Sequence, residues 1–232
     1  MEPTYSVEIS ADPVLAKFAL LTKRTFPETL LRAGRGVVKK AMGITPPANQ
    51  DSARGEGGGL TGEDYRRGQR AIDADLRRHF VPIRSKGVGP RGAMNPAEIH
   101  RDLFLRFKRP GKPLRRAQAA PYYVDRGKLL ALRSELHRRV GRQAANWLPA
   151  ARALDVKGVP AWVARHTGHG SFRADLSGDE LYIEAGAAIL PALHWELKRR
   201  LPYAYEYQMN AMKRELAHLL QSDGQKAGLH IV

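Results

Sequence analysis

The chain has 232 residues, and its 39 Lys and Arg residues against 23 Asp and Glu residues give a net charge of +16. It has no cysteine, which excludes disulfide bonds and thiolate metal sites, and its 43% hydrophobic content is typical of a globular protein. Because a protein this basic repels itself, we expect its partner to be a polyanion or an acidic protein surface.

The N-terminal region predicts a strand followed by a helix. Tyr5 to Ile9 alternate in polarity with a period of two, which is typical of a β-strand. The pair Asp12-Pro13 then supplies an N-cap and a proline at the first helical position. Apolar residues follow helical spacing as far as Gly43. Pro27 and the pair Gly34/Gly36 interrupt the pattern, so we expect a kink or two separate helices.

The middle of the chain predicts a loop, a helix and an arm. Residues 46–62 are rich in Gly and Pro and are expected to form a flexible loop. Residues 63–80 predict a charged amphipathic helix. Residues 82–125 contain six prolines and four glycines among many cations, which favours an extended arm that becomes ordered on a neighbouring molecule. A basic helix is expected over residues 125–147.

The C-terminal region predicts three short strands and a long helix. Residues 159–164, 172–176 and 181–185 are separated by turn residues and are expected to form an antiparallel meander. Residues 191–220 predict a closing helix, with Pro202 as a point where it could break.

These elements predict an α+β fold, in which a small antiparallel β-meander packs against long helices and carries an extended basic arm or insertion. We assign residues 1–47 and 126–220 to the body, 48–125 to the loop, charged helix and arm, and 221–232 to a loose tail. No apolar run approaches the roughly 20 residues needed to span a bilayer, and residues 1–5 lack the features of a secretory signal. We therefore expect a soluble protein that is made in the cytoplasm and has no membrane partner.

Asp73 and Asp75 are the first candidates for catalysis, because paired carboxylates can hold the metal ions of a nuclease. Residues two apart on a helix point about 200° apart and cannot share a metal ion. We therefore expect Asp73 to pair with Arg77, and Asp75 to pair with Arg78 or His79.

Two other candidate sites are also weak. His166 and His169 could share a metal ion, but the nearest acid, Asp175, lies on the next predicted strand, so we predict no metal site. The glycine-rich residues 55–62 are not followed by the Gly-Lys-Ser/Thr of a phosphate-binding loop. We accordingly predict no cofactor and no enzymatic activity.

The basic segments give the strongest functional signal, because aromatic residues among cations are typical of a polyanion-binding or protein-binding interface. Two clusters, one in the predicted arm and one in the helix after it, are expected to form this interface. Its residues are Arg101, Phe104, Arg106, Phe107, Lys108, Arg109, Lys112, Arg115, Arg116, Arg126, Lys128, Arg133, Arg138, Arg139 and Arg142.

The layout of residues 1–47 and 150–220 resembles a known family. A short strand is followed by a helix that ends in Thr45-Pro46-Pro47, and Tyr182-Ile183-Glu184-Ala185-Gly186 precedes the closing helix. This arrangement is similar to the neck or tail-completion (head–tail joining) proteins of long-tailed bacteriophages. The family's Thr-Gly-Leu appears here only as Gly59-Leu60-Thr61-Gly62, and residues 63–147 are longer than the usual insertion.

The resemblance implies a virion structural protein of the neck or tail, assembled in the host cytoplasm. It implies a homo-oligomeric ring that joins portal-side components to the tail, with other virion proteins as partners and DNA passing through a basic lumen. The body would pair laterally with copies of itself, and the arm at residues 82–125 would reach over the neighbouring subunit.

Two alternatives remain open. The first is a nucleic-acid-binding accessory protein of another process. The second is a metal-dependent nuclease that uses Glu63, Asp64, Asp73 and Asp75.

Overall fold

The computed structural model describes residues 5–9, 12–45, 47, 60–83, 94–107, 121–175, 180–185 and 191–226. The chain divides into two compact units. Residues 1–61 and 141–232 form the first, which we call the body. Residues 62–140 form the second, which we call the basic unit. The sequence of the basic unit therefore interrupts that of the body.

The described residues form helices and five strands, numbered here in chain order. The longer helices are α1 (Pro13–Thr22), α2 (Phe26–Ile44), α3 (Gly62–His79), α4 (Pro96–Phe107), α5 (Arg126–Arg139) and α8 (Pro191–Lys226). The short ones are a 3₁₀ turn at Ala144–Trp147, α6 (Leu148–Ala153) and α7 (Ala161–Ala164). The strands are β1 (Tyr5–Ile9), β2 (Phe80–Ile83), β3 (Tyr122–Asp125), β4 (Ser171–Asp175) and β5 (Glu180–Ala185).

The body combines a three-stranded antiparallel sheet with helices, which confirms the predicted α+β class. The strand order is β1–β5–β4, so the N-terminal strand pairs with a strand near the C-terminal helix, and Val7 lies opposite Ile183. Helix α2 packs against both α8 and β5. Buried side chains of these elements, including Leu30, Val37 and Ile183, form one hydrophobic core.

The predicted division of the first helix is confirmed, but its position differs from the interruption in the sequence pattern. Asp12 caps α1 by accepting a hydrogen bond from the amide of Val14 at 2.7 Å. Helix α1 ends at Thr22, and the next residue, Lys23, caps it with a φ of +55°. Thr25 and Glu28 then form a capping box that starts α2. Gly34 lies within α2, because this helix must approach Leu181 of the sheet closely.

The basic unit has its own core between helices α3, α4 and α5 and a two-stranded parallel sheet. Strand β2 pairs with β3, and both α3 and α4 pack against α5. Among the described residues of this unit, the buried hydrophobic residues of the core are Leu76, Phe80, Ile99, Val124 and Leu132.

The prediction of an extended arm is wrong for the described part of residues 82–125. Residues 96–107 form a helix and 122–125 a strand, and Ile99 and Val124 are buried in the core of the basic unit. Residues 84–93 and 108–120 lie outside the described residues, as does most of the predicted loop at 46–62.

Three further boundaries differ from the sequence prediction. The basic helix ends at Arg139 and belongs to the basic unit, whereas the body resumes at Gly141. Residues 161–164 form helix α7 rather than a strand, since Pro160 occupies its N-cap position and starts a helical turn. The closing helix continues through Pro202 and past residue 220 to Lys226.

Candidate functional site

The positive charge of the chain is concentrated in one unit. The basic unit carries 20 Lys and Arg residues and 8 Asp and Glu residues, a net charge of +12 of the chain's +16. The body has 19 basic and 15 acidic residues, a net charge of +4. Because residues 62–140 are only about a third of the chain, the density of positive charge is far higher there.

The predicted interface residues on α5 lie at the surface. Arg126, Lys128 and Arg138 are exposed. Arg126 and Lys128 lie in the first turn, where Asp125 caps the helix by accepting a hydrogen bond from the amide of Lys128 at 2.9 Å. Arg139, also exposed, pairs with Glu135 one turn earlier. Much of the charge on α5 therefore faces outward.

The other predicted interface residues are distributed differently. Arg101 is exposed on α4, and Phe104, Arg106 and Phe107 belong to the last turns of the same helix. Arg142 is exposed but belongs to the body. The remaining members of the predicted set lie outside the described residues, namely Lys108, Arg109, Lys112, Arg115 and Arg116.

Asp73 forms an ion-pair network that links α3 to α5. Arg133 donates from Nε to Oδ1 and from Nη2 to Oδ2 of Asp73, both at 2.7 Å. Nε2 of His137 lies 2.8 Å from Oδ1 of the same carboxylate. The hydrogen bond from Arg133, reinforced by His137, lowers the pKa of Asp73 to about 2. The carboxylate is therefore held ionised by hydrogen bonds from side chains of the same unit.

This network corrects the prediction that Asp73 pairs with Arg77. Arg77 instead donates from Nε to the main-chain oxygen of Asp73 at 3.1 Å. Sequence reasoning missed Arg133 and His137 as partners of Asp73. The spacing of Arg133 and His137, four residues apart on a helix, predicts that they share a face, but it does not identify Asp73 as their partner.

Asp75 belongs to a different, weaker cluster. Its carboxylate lies 3.5 Å from Nε2 of His79, which confirms one of the predicted pairings, and 3.9 Å from Nε2 of His100. Burial lowers the pKa of His100, and the charge of Asp75 opposes this shift. The structure thus gives Asp73 and Asp75 separate partners, as their spacing on a helix requires.

Within the described ranges, no group of three or more His, Asp or Glu side chains is arranged to hold a metal ion. His166 is partly buried, and its Nε2 lies 3.4 Å from Nε of Arg165. His169 is exposed.

A cleft of about 230 Å³ opens between α3, β2 and α5 of the basic unit. Its walls are mostly apolar, with three charged residues. The lining residues are Asp73, Leu76, Arg77, Phe80, Pro82, Leu129, Leu130 and Arg133. Leu130 is 51% exposed at this cleft, and Tyr123 on β3 is 61% exposed. Sequence reasoning missed the cleft because its lining comes from residues about 50 positions apart.

Comparisons with protein-family models, with curated proteins and with solved structures find no match to this chain. Among the helices that the structure describes, none is both long enough and apolar enough to cross a membrane.

Proposed function

We propose that the protein is a non-enzymatic structural subunit of a bacteriophage virion, at the head–tail connector, neck or tail-completion position. In this proposal the body assembles into a ring, and the basic unit docks onto an acidic surface. The observation that carries the docking role is the net charge of +12 on one separately packed unit. A surface this basic requires a negatively charged counterpart from another molecule.

The arrangement of the body supports the assembly role. The elements that resemble head–tail joining proteins all belong to the body: strand β1, helix α2, strand β5 and the long helix α8. The basic unit is inserted between these elements in the sequence. Such an insertion can add a binding surface without changing the core of the body, because each unit has its own hydrophobic core.

Three of the four acidic residues of the nuclease alternative, Glu63, Asp64 and Asp73, pair with arginines, which makes them poor metal ligands. Glu63 pairs with Arg66 and Arg70. Asp64 is buried and pairs with Arg67 at 3.2 Å. A carboxylate that already accepts hydrogen bonds from guanidinium groups must lose them before it can bind Mg²⁺. These contacts favour a structural role for the acids of α3.

A nucleic-acid-binding accessory protein is the second candidate. The observation that favours it is the exposed Tyr123 on β3, close in sequence to the exposed Arg126 and Lys128. An exposed aromatic ring on a unit that also carries exposed cations is suited to stacking on an unpaired base while the cations neutralise phosphates.

The assembly role is tested by negative-stain electron microscopy and mass photometry of the purified full chain. We expect ring-shaped oligomers. A protein that stays monomeric at every concentration and salt condition contradicts the proposal.

The docking role is tested by reversing charge on the basic unit. The double variant Arg126→Glu/Lys128→Glu should weaken binding to acidic partners and leave the fold intact, because both side chains are exposed. The matched control Lys39→Glu/Arg152→Glu makes the same charge change at exposed positions of the body and should weaken binding less. Nanomolar affinity for free DNA with a steep dependence on salt concentration would favour the second candidate.

A further inference from the structure

The cleft of the basic unit has a surface that suits one particular kind of partner. Its walls include five hydrophobic residues, among them Leu129 and Leu130 of α5 and Pro82 of β2. Leu130 is 51% exposed, so a ligand in the cleft would remove apolar surface from water. The volume of about 230 Å³ is smaller than a typical small-molecule site and suits a single bulky side chain.

The charges around the cleft favour a negatively charged ligand. Asp73 is neutralised by the hydrogen bonds of Arg133 and by His137, so it adds little negative charge to the rim. Arg77 is exposed, and its hydrogen bond to the main chain of Asp73 leaves its positive charge without an acidic partner in the described part of the chain. Arg126 lies one helical turn before Leu129 and Leu130 on α5. It therefore adds a second cation on the same face of α5 as these two lining residues.

We infer that this cleft receives a bulky apolar side chain from an acidic segment of a partner protein. This inference rests on the proposed docking function and names the partner's chemistry. The carboxylates of the segment would pair with Arg77 and Arg126 while a Leu or Phe side chain fills the cleft. A nucleobase fits less well, because Phe80, the aromatic residue among the described lining residues, is only 3% exposed and offers no free face for stacking.

The test uses the full chain and two fluorescent peptides that differ at one position. The leucine peptide has the sequence Glu-Asp-Glu-Leu-Glu-Asp-Glu, and the serine peptide has Ser in place of Leu. At low ionic strength, fluorescence anisotropy should show that the leucine peptide binds about tenfold more tightly, because its side chain is transferred from water into the cleft.

Three variants test whether the difference in affinity between the two peptides arises in the cleft. Leu130→Ser should bring the ratio of the two affinities close to one. The matched control Leu220→Ser, at a leucine that is 47% exposed on α8 of the body, should leave the ratio unchanged. Arg77→Gln should weaken both peptides by a similar factor and preserve the ratio, since it removes a charge contact that both peptides make.

Each remaining outcome is decisive. Equal affinity of the two peptides for the wild-type protein overturns this inference, and any binding of acidic peptides would then still support the proposed docking function. If neither peptide nor a single-stranded oligonucleotide binds, the docking function fails as well. The oligonucleotide could also bind, and Leu130→Ser could lower its affinity by the same factor as it lowers the affinity of the leucine peptide. In that case the cleft is a nucleic-acid site and the inference is wrong.

Discussion

The substitution Asp73→Asn tests whether the ion-pair network holds α3 and α5 together. The amide keeps the size of the carboxylate but removes its charge, so Arg133 and His137 lose their anionic partner. The pKa of Asp73 lies at about 2, below its ordinary value of 3.8. The difference between these two pKa values means that the ionised carboxylate of Asp73 stabilises the folded state by about 2.4 kcal/mol. Because the Arg133 side chain is 48% exposed and partly screened by solvent, we expect a loss of about 1–2 kcal/mol.

The same network predicts a dependence of stability on pH. The folded pKa of Asp73 is depressed, so its contribution is present above the unfolded value of 3.8 and is lost as the pH falls towards about 2. The difference in unfolding free energy between the wild-type protein and Asp73→Asn should therefore shrink over this range.

Hydrogen exchange followed by mass spectrometry is the appropriate assay. All three tryptophans, Trp147, Trp162 and Trp195, lie in the body, so their fluorescence does not report directly on the basic unit. At neutral pH, peptides from α3 and α5 should lose protection by a factor of about 5–30 in Asp73→Asn.

The matched control is Asp75→Asn on the same helix. Asp75 is more exposed and its histidine partners lie at 3.5 and 3.9 Å, so we expect a loss below about 0.5 kcal/mol. Equal effects of the two substitutions would refute the reasoning, because they would show that the bidentate pair with Arg133 adds no stability.

Two further substitutions test the core of the body by urea denaturation monitored through tryptophan fluorescence. Gly34→Ala should destabilise the body by about 1–2 kcal/mol, because the added methyl group would collide with the buried side chain of Leu181. Gly36→Ala is the matched control. Its methyl group would meet the partly exposed side chain of Gln208, which can move away, so the free energy of unfolding should change little. Thr45→Val should cost about 1–2 kcal/mol because the buried indole of Trp147 donates to the Thr45 hydroxyl at 3.2 Å. Equal effects at the two glycines, or no effect at Thr45, would contradict these assignments.

The elements that were predicted well are those whose signals are local. Asp12-Pro13 marks the start of α1, and the alternation from Tyr5 to Ile9 marks β1, because caps and strand periodicity depend on adjacent residues. The pairing of β1 with β5 was beyond such reasoning, since it joins residues about 180 positions apart. The same limit applies to the contact of Asp73 with Arg133, which are 60 positions apart.

The missed helix α4 had a local signal that its surroundings obscured. Asn95 accepts a hydrogen bond from the amide of Ala97 at 3.1 Å, and its side chain also bonds to Glu98. Asn-Pro-x-Glu is a helix-start pattern, and Ile99 and Leu103 follow at helical spacing. The prolines and glycines on both sides favoured an arm, although they flank this helix rather than occupy its interior.

Because each unit has its own hydrophobic core, the basic unit can be tested by deletion, but the deletion must not stop at residues 82–120, the region of the predicted arm. Deleting only that region would remove α4 and Ile99 from the core of the basic unit, so a loss of function could reflect unfolding. The informative change is replacement of the whole basic unit, residues 62–140, by a flexible Gly/Ser linker. The described core of the body comes from residues on either side of this segment, so we expect the body to fold.

The truncated chain separates folding from docking. Trp147 is 2% exposed in the core of the body and should keep the emission of a buried indole. The net charge falls from +16 to +4, so binding to acidic peptides and to nucleic acid should be lost together. An exposed Trp147 would show that the body needs the inserted unit in order to fold. Undiminished binding by a folded truncated chain would place the docking surface on the body, because the cations of the basic unit would no longer be present.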